Sequence, residues 1–181
     1  MLAAIAVICT ILCSCSKENK ENTTPEKKTY FGELQFELTT TPETLASFDF
    51  YVMEYTANGE VSKHNVTKWE DKSSDLFGAV KRWNVETKIS LPGKLGLYVE
   101  LVPKSGLDME AKYTIMYDYL CLSWSVDSNG QDMTEAFRQQ TSKYERNRAG
   151  TLDAVLQMHN PLVNAVLTFD ADGKCTVSKW E

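Results

Sequence analysis

The sequence predicts an all-β domain, and three observations carry the prediction. Apolar and polar residues alternate in short runs, which is the pattern of half-buried strands. Turn-forming dipeptides such as Asn58-Gly59 and Pro92-Gly93 separate these runs. Seven or eight such runs fill residues 29 to 181, a length that suits one domain with its own core. Together these observations favour a β-sandwich or a β-barrel.

Eight runs account for the predicted strands. In order they are YFGELQFEL, SFDFYVMEYT, a return strand through Val61, KRWNVETKISL, KLGLYVELV, KYTIMYDYLCLSWSV, NAVLTF and KCTVSKW. Asn58-Gly59 predicts a tight hairpin between the second and third strands. Asp170-Ala171-Asp172-Gly173 predicts another hairpin between the last two.

An immunoglobulin-like sandwich of seven to eight strands with one short helix is the first interpretation. The helix is expected in DMTEAFRQQTSKYERNR, residues 132 to 148, which lacks alternation and is rich in helix formers. Asp132 and Glu135 have the spacing of a capping box, and Met133, Phe137 and Tyr144 would form a thin apolar stripe. A lipocalin-like barrel is the alternative, because LTFDADGKCTVSKW resembles a repeating hairpin of such barrels.

The N-terminus begins with an uncharged apolar run over residues 2 to 12. This run is too short for a transmembrane helix, which needs about 20 residues. It matches the apolar region of a secretory signal, although no Lys or Arg precedes it. Residues 1 to 14 are therefore predicted to be a signal peptide.

Leu12-Cys13-Ser14-Cys15 closes this run and resembles the lipobox of lipoproteins from Gram-negative bacteria. In that motif a Leu, any residue and a small residue precede the Cys that is lipidated and becomes the mature N-terminus. The resemblance implies lipidation of Cys15 and attachment to the outer membrane through acyl chains, on either its periplasmic or its surface side. Residues 15 to 28 are polar and predict a flexible tether that spans on the order of 20 Å. A single domain follows at residues 29 to 181.

Charge and motifs argue against several classes of function. The net charge is −6 and no block is rich in Lys or Arg, which argues against a nucleic-acid partner. His64 and His159 are the only histidines, and neither has a Cys or another His within five residues, as paired zinc ligands usually do. Asp170 and Asp172 begin like a calcium loop that lacks its closing Glu. No nucleophile elbow, phosphate loop or dinucleotide fingerprint occurs, so the sequence predicts no enzyme, metal or cofactor.

Two cysteines remain once the signal is removed and Cys15 is acylated. These are Cys121 and Cys175, both in strand-like runs. Export to an oxidising compartment permits a disulfide between them. Two separate buried thiols are the alternative.

The strand run over residues 47 to 57 carries aromatic residues on both faces. Phe48 and Phe50 share one face, and Tyr51 and Tyr55 share the other. The phenylalanine face suits the core because it carries no hydroxyl that needs a partner. Tyr51 and Tyr55 are therefore the candidate binding surface for a glycan or a protein partner.

The run over residues 113 to 126 is also apolar on two faces. Met116, Leu120, Leu122 and Trp124 share its second face, where the expected helix or a long loop would cover them. These patterns predict an exported, lipid-anchored, non-catalytic binding module. A structural subunit of a surface assembly, comparable to fimbrial shaft or anchor proteins, is the alternative, and a hydrolase ranks third.

Overall fold

The computed structural model describes residues 28–107, 113–127, 130–140, 156 and 160–181. The predicted signal peptide, the lipobox with Cys15 and nearly all of the tether lie outside these ranges. His159 and Tyr144 lie outside them as well.

The chain forms two antiparallel five-stranded sheets that pack face to face. Its elements are β1 (Thr29–Thr40), α1 (Pro42–Ser47), β2 (Phe48–Tyr55), β3 (Val61–Asn65), β4 (Glu70–Ser74), β5 (Gly78–Ser90), β6 (Gly93–Pro103), β7 (Ile115–Asp127), β8 (Gly130–Gln140), β9 (Val163–Phe169) and β10 (Cys175–Ser178). Sheet A has the order β4-β5-β1-β7-β8, and sheet B has the order β10-β9-β6-β2-β3.

The predicted β-sandwich with one short helix is confirmed. Within the described part of the chain the two sheets do not close into a barrel, so the lipocalin-like alternative is not the observed architecture. The described residues form ten strands rather than the expected seven or eight, because β4 and β8 are added. Strand β4, with the sequence EDKSS, has no apolar residue and therefore no alternation to detect. It pairs with β5 at an edge of sheet A, where a polar strand is tolerated.

The helix predicted over residues 132 to 148 is wrong where the structure describes it. Residues 130 to 140 form β8, which pairs antiparallel with β7. A β-bulge explains the error, because Phe137 lies opposite Cys121 while Glu135 lies opposite Leu122, which leaves Ala136 as the extra residue. The bulge breaks the period of two, so the apolar residues of this strand have the spacing of a helix.

Among the described ranges, the helix with defined bounds is α1, which the sequence did not predict. The backbone N–H of Thr44 donates a hydrogen bond to Thr41 Oγ1 at 3.4 Å, and Pro42 occupies the first turn. Both features favour a helix start. The helix links β1 of sheet A to β2 of sheet B.

The core lies between the sheets and follows the alternation. Its largest fully buried side chains include Phe36 of β1, Phe48 and Phe50 of β2, Tyr119 of β7 and Phe169 of β9. Truncation of such a side chain typically costs about 3–5 kcal/mol of unfolding free energy. Among the described residues, no helix has the length and apolarity that crossing a membrane requires.

Both predicted hairpins form. Gly59 has a φ of +78° in the β2–β3 turn, and Gly173 has a φ of +77° in the β9–β10 turn. In the second turn, Asp170 Oδ1 accepts hydrogen bonds from the backbone N–H groups of Asp172 and Lys174, each at 2.9 Å. The Asp170 carboxylate therefore organises a plain turn.

Candidate binding surface

Tyr51 and Tyr55 lie on the outward face of β2, as the alternation predicts. The inward residues Phe48 and Phe50 are no more than 1 % exposed, whereas both tyrosines are half-buried. The structure therefore leaves the two tyrosine rings partly open to solvent. Residues 132 to 140, the described part of the segment that was expected to form a covering helix, lie in β8 of sheet A instead.

Two further aromatic side chains join them on this face. Tyr98 projects outward from β6, where its backbone pairs with that of Met53. Trp180 follows β10, and its ring stacks on Tyr55 with a centroid distance of 4.8 Å and an interplanar angle of 21°. We call Tyr51, Tyr55, Tyr98 and Trp180 the outer aromatic cluster.

The position of Trp180 is fixed through its backbone. The N–H of Trp180 donates to Asn164 Oδ1 at 2.8 Å, which ties the C-terminal segment to β9. The indole Nε1 of Trp180 is buried and has no acceptor within the described ranges. An unpaired buried donor of this kind typically costs about 1–3 kcal/mol of stability.

Gly96 of β6 makes room for the stack. A Cβ atom at this position would lie 3.1 Å from Tyr55 Cδ2 and 3.2 Å from Trp180 Cζ2. Both distances are shorter than ordinary carbon contacts. A glycine on the outward face of a central strand therefore lets the two rings approach the sheet.

Polar groups border the rings. The hydroxyl of Tyr98 donates to Glu100 Oε2 at 3.0 Å. Burial, followed by this hydrogen bond and the charge of Glu100, raises the pKa of Tyr98, so the hydroxyl stays protonated. Lys63 and Asn65 lie on the neighbouring β3, opposite Met53 and Tyr51. Flat apolar rings with hydrogen-bonding groups at their edges are typical of ligand sites.

The outward face of sheet A also carries apolar side chains. Phe31 of β1 stacks on Trp124 of β7 with a centroid distance of 5.6 Å and an interplanar angle of 21°. Leu120 and Leu122 lie on the same face and are half-buried. The two-faced pattern predicted for β7 is therefore present.

Cys121 and Cys175 are both free thiols in the structure. Cys121 is fully buried and its Sγ donates to the Tyr119 hydroxyl at 3.6 Å. Burial raises the pKa of Cys121 to about 12 and also raises the pKa of the half-buried Cys175. Neither thiol has the character of an activated nucleophile.

The inward side of β2 and β3 carries the three residue types of a catalytic triad, in Ser62, His64 and Glu54, but not the geometry of a triad. His64 Nδ1 lies 3.4 Å from Ser62 Oγ and 4.0 Å from Glu54 Oε1. A triad needs the serine and the carboxylate on opposite ring nitrogens, and here both approach the same one. Burial raises the pKa of Glu54, against a smaller lowering by His64. No three potential metal ligands cluster among the described residues.

The chain was compared with protein-family models, curated proteins and solved structures. None of the three comparisons found a match.

Proposed function

We propose that this protein is an exported, lipid-anchored and non-catalytic binding module whose outer aromatic cluster binds a glycan. The observation that carries the proposal is the gathering of four half-open aromatic side chains on one face of sheet B, around a glycine that accommodates them. Such rings stack on the C–H faces of sugar rings, and their polar tips reach the sugar hydroxyls.

The dimensions of the cluster suit an oligosaccharide. Tyr51 and Tyr55 are four residues apart on one strand, which corresponds to about 13 Å. Tyr98 lies on the adjacent strand β6, and the backbones of neighbouring strands are about 5 Å apart. Glu100 and Asn65 supply acceptors and donors at the border, opposite Tyr51.

Glycan arrays of the wild-type protein test the proposal. Tyr51→Ala and Tyr98→Ala should each weaken binding about tenfold, because each removes a ring worth about 1.4 kcal/mol of contact. Phe31→Ala, which removes a stacked ring from the opposite sheet, is the matched control and should leave binding unchanged. Equal losses in all three variants, or no glycan retained by the wild type, would reject the proposal.

The lipid anchor has its own test. Cys15→Ala should abolish incorporation of a lipid analogue and release the protein into the soluble fraction, because the lipobox pattern implies acylation at that residue. Cys13→Ala is the control and should do neither. Label that persists in Cys15→Ala would reject the anchor.

A structural subunit of a surface assembly is the second candidate, favoured by β8. This strand is eleven residues long and is outermost in sheet A among the described strands. Its outward Met133 is 61 % exposed. A long edge strand can pair with another chain. Sedimentation of the wild type and of Thr134→Pro separates the two functions. If the protein assembles through β8, the wild type should form oligomers, and the proline should abolish them because it removes a backbone N–H from the edge strand.

A further inference from the structure

A cleft of about 580 Å³ opens between the two sheets at the end of the sandwich. Ser123 and Ser125 of β7 and Thr134 of β8 line it from sheet A, and Cys175 of β10 lines it from sheet B. Tyr30 of β1 also lines it. The cleft faces the inward side of sheet B, so it is separated from the outer aromatic cluster by the thickness of that sheet.

The sequence of β7 explains why the cleft exists. The inward side chains of β7 become smaller along the strand, from Tyr119 to Ser123 and Ser125. Ser123 pairs with Gly32 of β1, so no large side chain of these two strands fills the space at that level. Protein cores are normally packed without such gaps. The opening therefore follows from small residues where the alternation would place core side chains.

The two serines line this space with hydroxyl groups. Each serine residue is only 4 % exposed, and neither hydroxyl is among the buried polar atoms that lack a partner in the described part of the chain. Hydroxyls that open onto a cleft are hydrated there, and a ligand hydroxyl can replace the water that contacts them. Two positions along a strand correspond to about 7 Å, so the hydroxyls form a row.

The remaining wall favours a neutral ligand. Asp132 at the mouth is already paired with Lys28, with 3.0 Å between the carboxylate oxygen and the ammonium nitrogen. Asp172 and Lys174, also at the rim, carry opposite charges. No buried ionised side chain is present among the described lining residues, so a charged ligand would lose its hydration without gaining a partner.

Tyr30 supplies a fixed aromatic wall. Its ring packs against Gly173, where an added Cβ would lie 2.9 Å from Tyr30 Cδ1. The ring therefore presents an apolar surface beside the row of hydroxyls. Ligand pockets commonly combine mostly apolar walls of this size with a few convergent polar groups.

We infer that this cleft binds a small neutral ligand with hydroxyl groups on a ring, the chemistry of an uncharged mono- or disaccharide. The serine hydroxyls both donate to and accept from the sugar hydroxyls, and Tyr30 packs on the ring. The cleft is a second site, and it does not depend on the outer aromatic cluster.

Cys175 reports on occupancy because it lies in the wall. The full chain is treated with N-ethylmaleimide in the presence of glucose, N-acetylglucosamine, maltose or chitobiose, and modification of the Cys175 peptide is followed by mass spectrometry. At least one of these sugars should slow the modification in a saturable manner. Absence of protection by all four sugars would overturn the inference.

Paired variants locate the protection. The double variant, with Ser123→Ala and Ser125→Ala, should bind the sugar more weakly. The sugar concentration that gives half of the maximal protection should rise about tenfold, which corresponds to about 1.4 kcal/mol. The melting temperature of this variant should not fall, because no intramolecular hydrogen bond is lost. Ser125→Thr, which keeps a hydroxyl, should retain protection. Protection that survives the double alanine variant, or that disappears in Tyr51→Ala, would overturn the cleft as the site.

Discussion

The two outward faces of the sandwich each carry a stacked aromatic pair, yet their surroundings differ. On sheet B, Tyr55 and Trp180 stack beside the tyrosine hydroxyls and the carboxylate of the cluster. On sheet A, Phe31 and Trp124 stack beside half-buried leucines. The same geometry, with an angle of 21° in both pairs, therefore appears in a polar setting and in an apolar one.

This difference indicates which of the two faces suits a sugar. A sugar ring has an apolar face and a rim of hydroxyls, and on the sheet B face the tyrosine hydroxyls and the Glu100 carboxylate border the rings themselves. On sheet A, charged pairs such as Lys88 with Glu33 and Arg138 with Asp118 lie around an aliphatic stripe. There the ring contacts are expected to contribute to stability, whereas on sheet B they are expected to contribute to binding.

The largest effect is expected at Gly96. Gly96→Val should displace the Tyr55–Trp180 stack and abolish glycan binding, because even its Cβ would lie 3.1 Å from both Tyr55 Cδ2 and the Ala165 carbonyl oxygen. The overpacking should also cost about 1–3 kcal/mol. Thr168→Ile, on the outward face of β9, is the control for added apolar volume on a neighbouring strand. If Gly96→Val still binds the glycan that the wild type binds, the Tyr55–Trp180 stack is not part of the binding site.

A smaller effect is expected on the opposite face. Trp124→Ala should lower the free energy of unfolding by about 1–2 kcal/mol, because it exposes Phe31 and the neighbouring leucines. Glycan binding that depends on Tyr51 should not change, although Trp124 also lines the inter-sheet cleft. Tyr51→Ala should show the converse pattern, with a change in stability within about 1 kcal/mol. Urea denaturation of both variants checks this, and a loss of several kcal/mol in Tyr51→Ala would mean that the tyrosine face is covered.

The smallest effect is expected at the cysteines. A disulfide between Cys121 and Cys175 would link sheet A to sheet B covalently. Its removal would lower the free energy of unfolding by about 2–5 kcal/mol. Because both thiols are free in the structure, Cys175→Ser should change stability by less than about 1 kcal/mol. Thiol titration of the denatured, unreduced protein should detect Cys121 and Cys175. Detection of neither residue before reduction would establish the bridge instead.

Alternation in the sequence predicted most of the sandwich and one part of the candidate site. It placed Tyr51 and Tyr55 outward because the inward residues of the same strand are apolar. The same reasoning applied to KLGLYVELV could have placed Tyr98 outward as well, between the inward Leu97 and Val99. The β-bulge at Ala136 was not detectable, because one extra residue makes a strand resemble a helix.

Other features depend on contacts between distant strands. Gly96 matters only because Tyr55 and Trp180 approach it across the sheet, and register between strands cannot be read from one sequence. Trp180 closes the predicted run KCTVSKW, but it follows the end of β10, so the alternation of that run does not give the direction of its side chain. The inter-sheet cleft likewise depends on which residues Ser123 and Ser125 face.

The indole N–H signal of Trp180 and the ring signals of Phe31 distinguish the two outward faces, and Phe31 does not line the inter-sheet cleft. In NMR spectra assigned with Trp180→Phe and Phe31→Leu, titration of a glycan selected on the array should shift the Trp180 signal progressively to saturation. The Phe31 signals should stay in place. A saturable shift of the Phe31 signals with the Trp180 signal unmoved would reject the outer aromatic cluster as the binding site and assign binding to the face of sheet A.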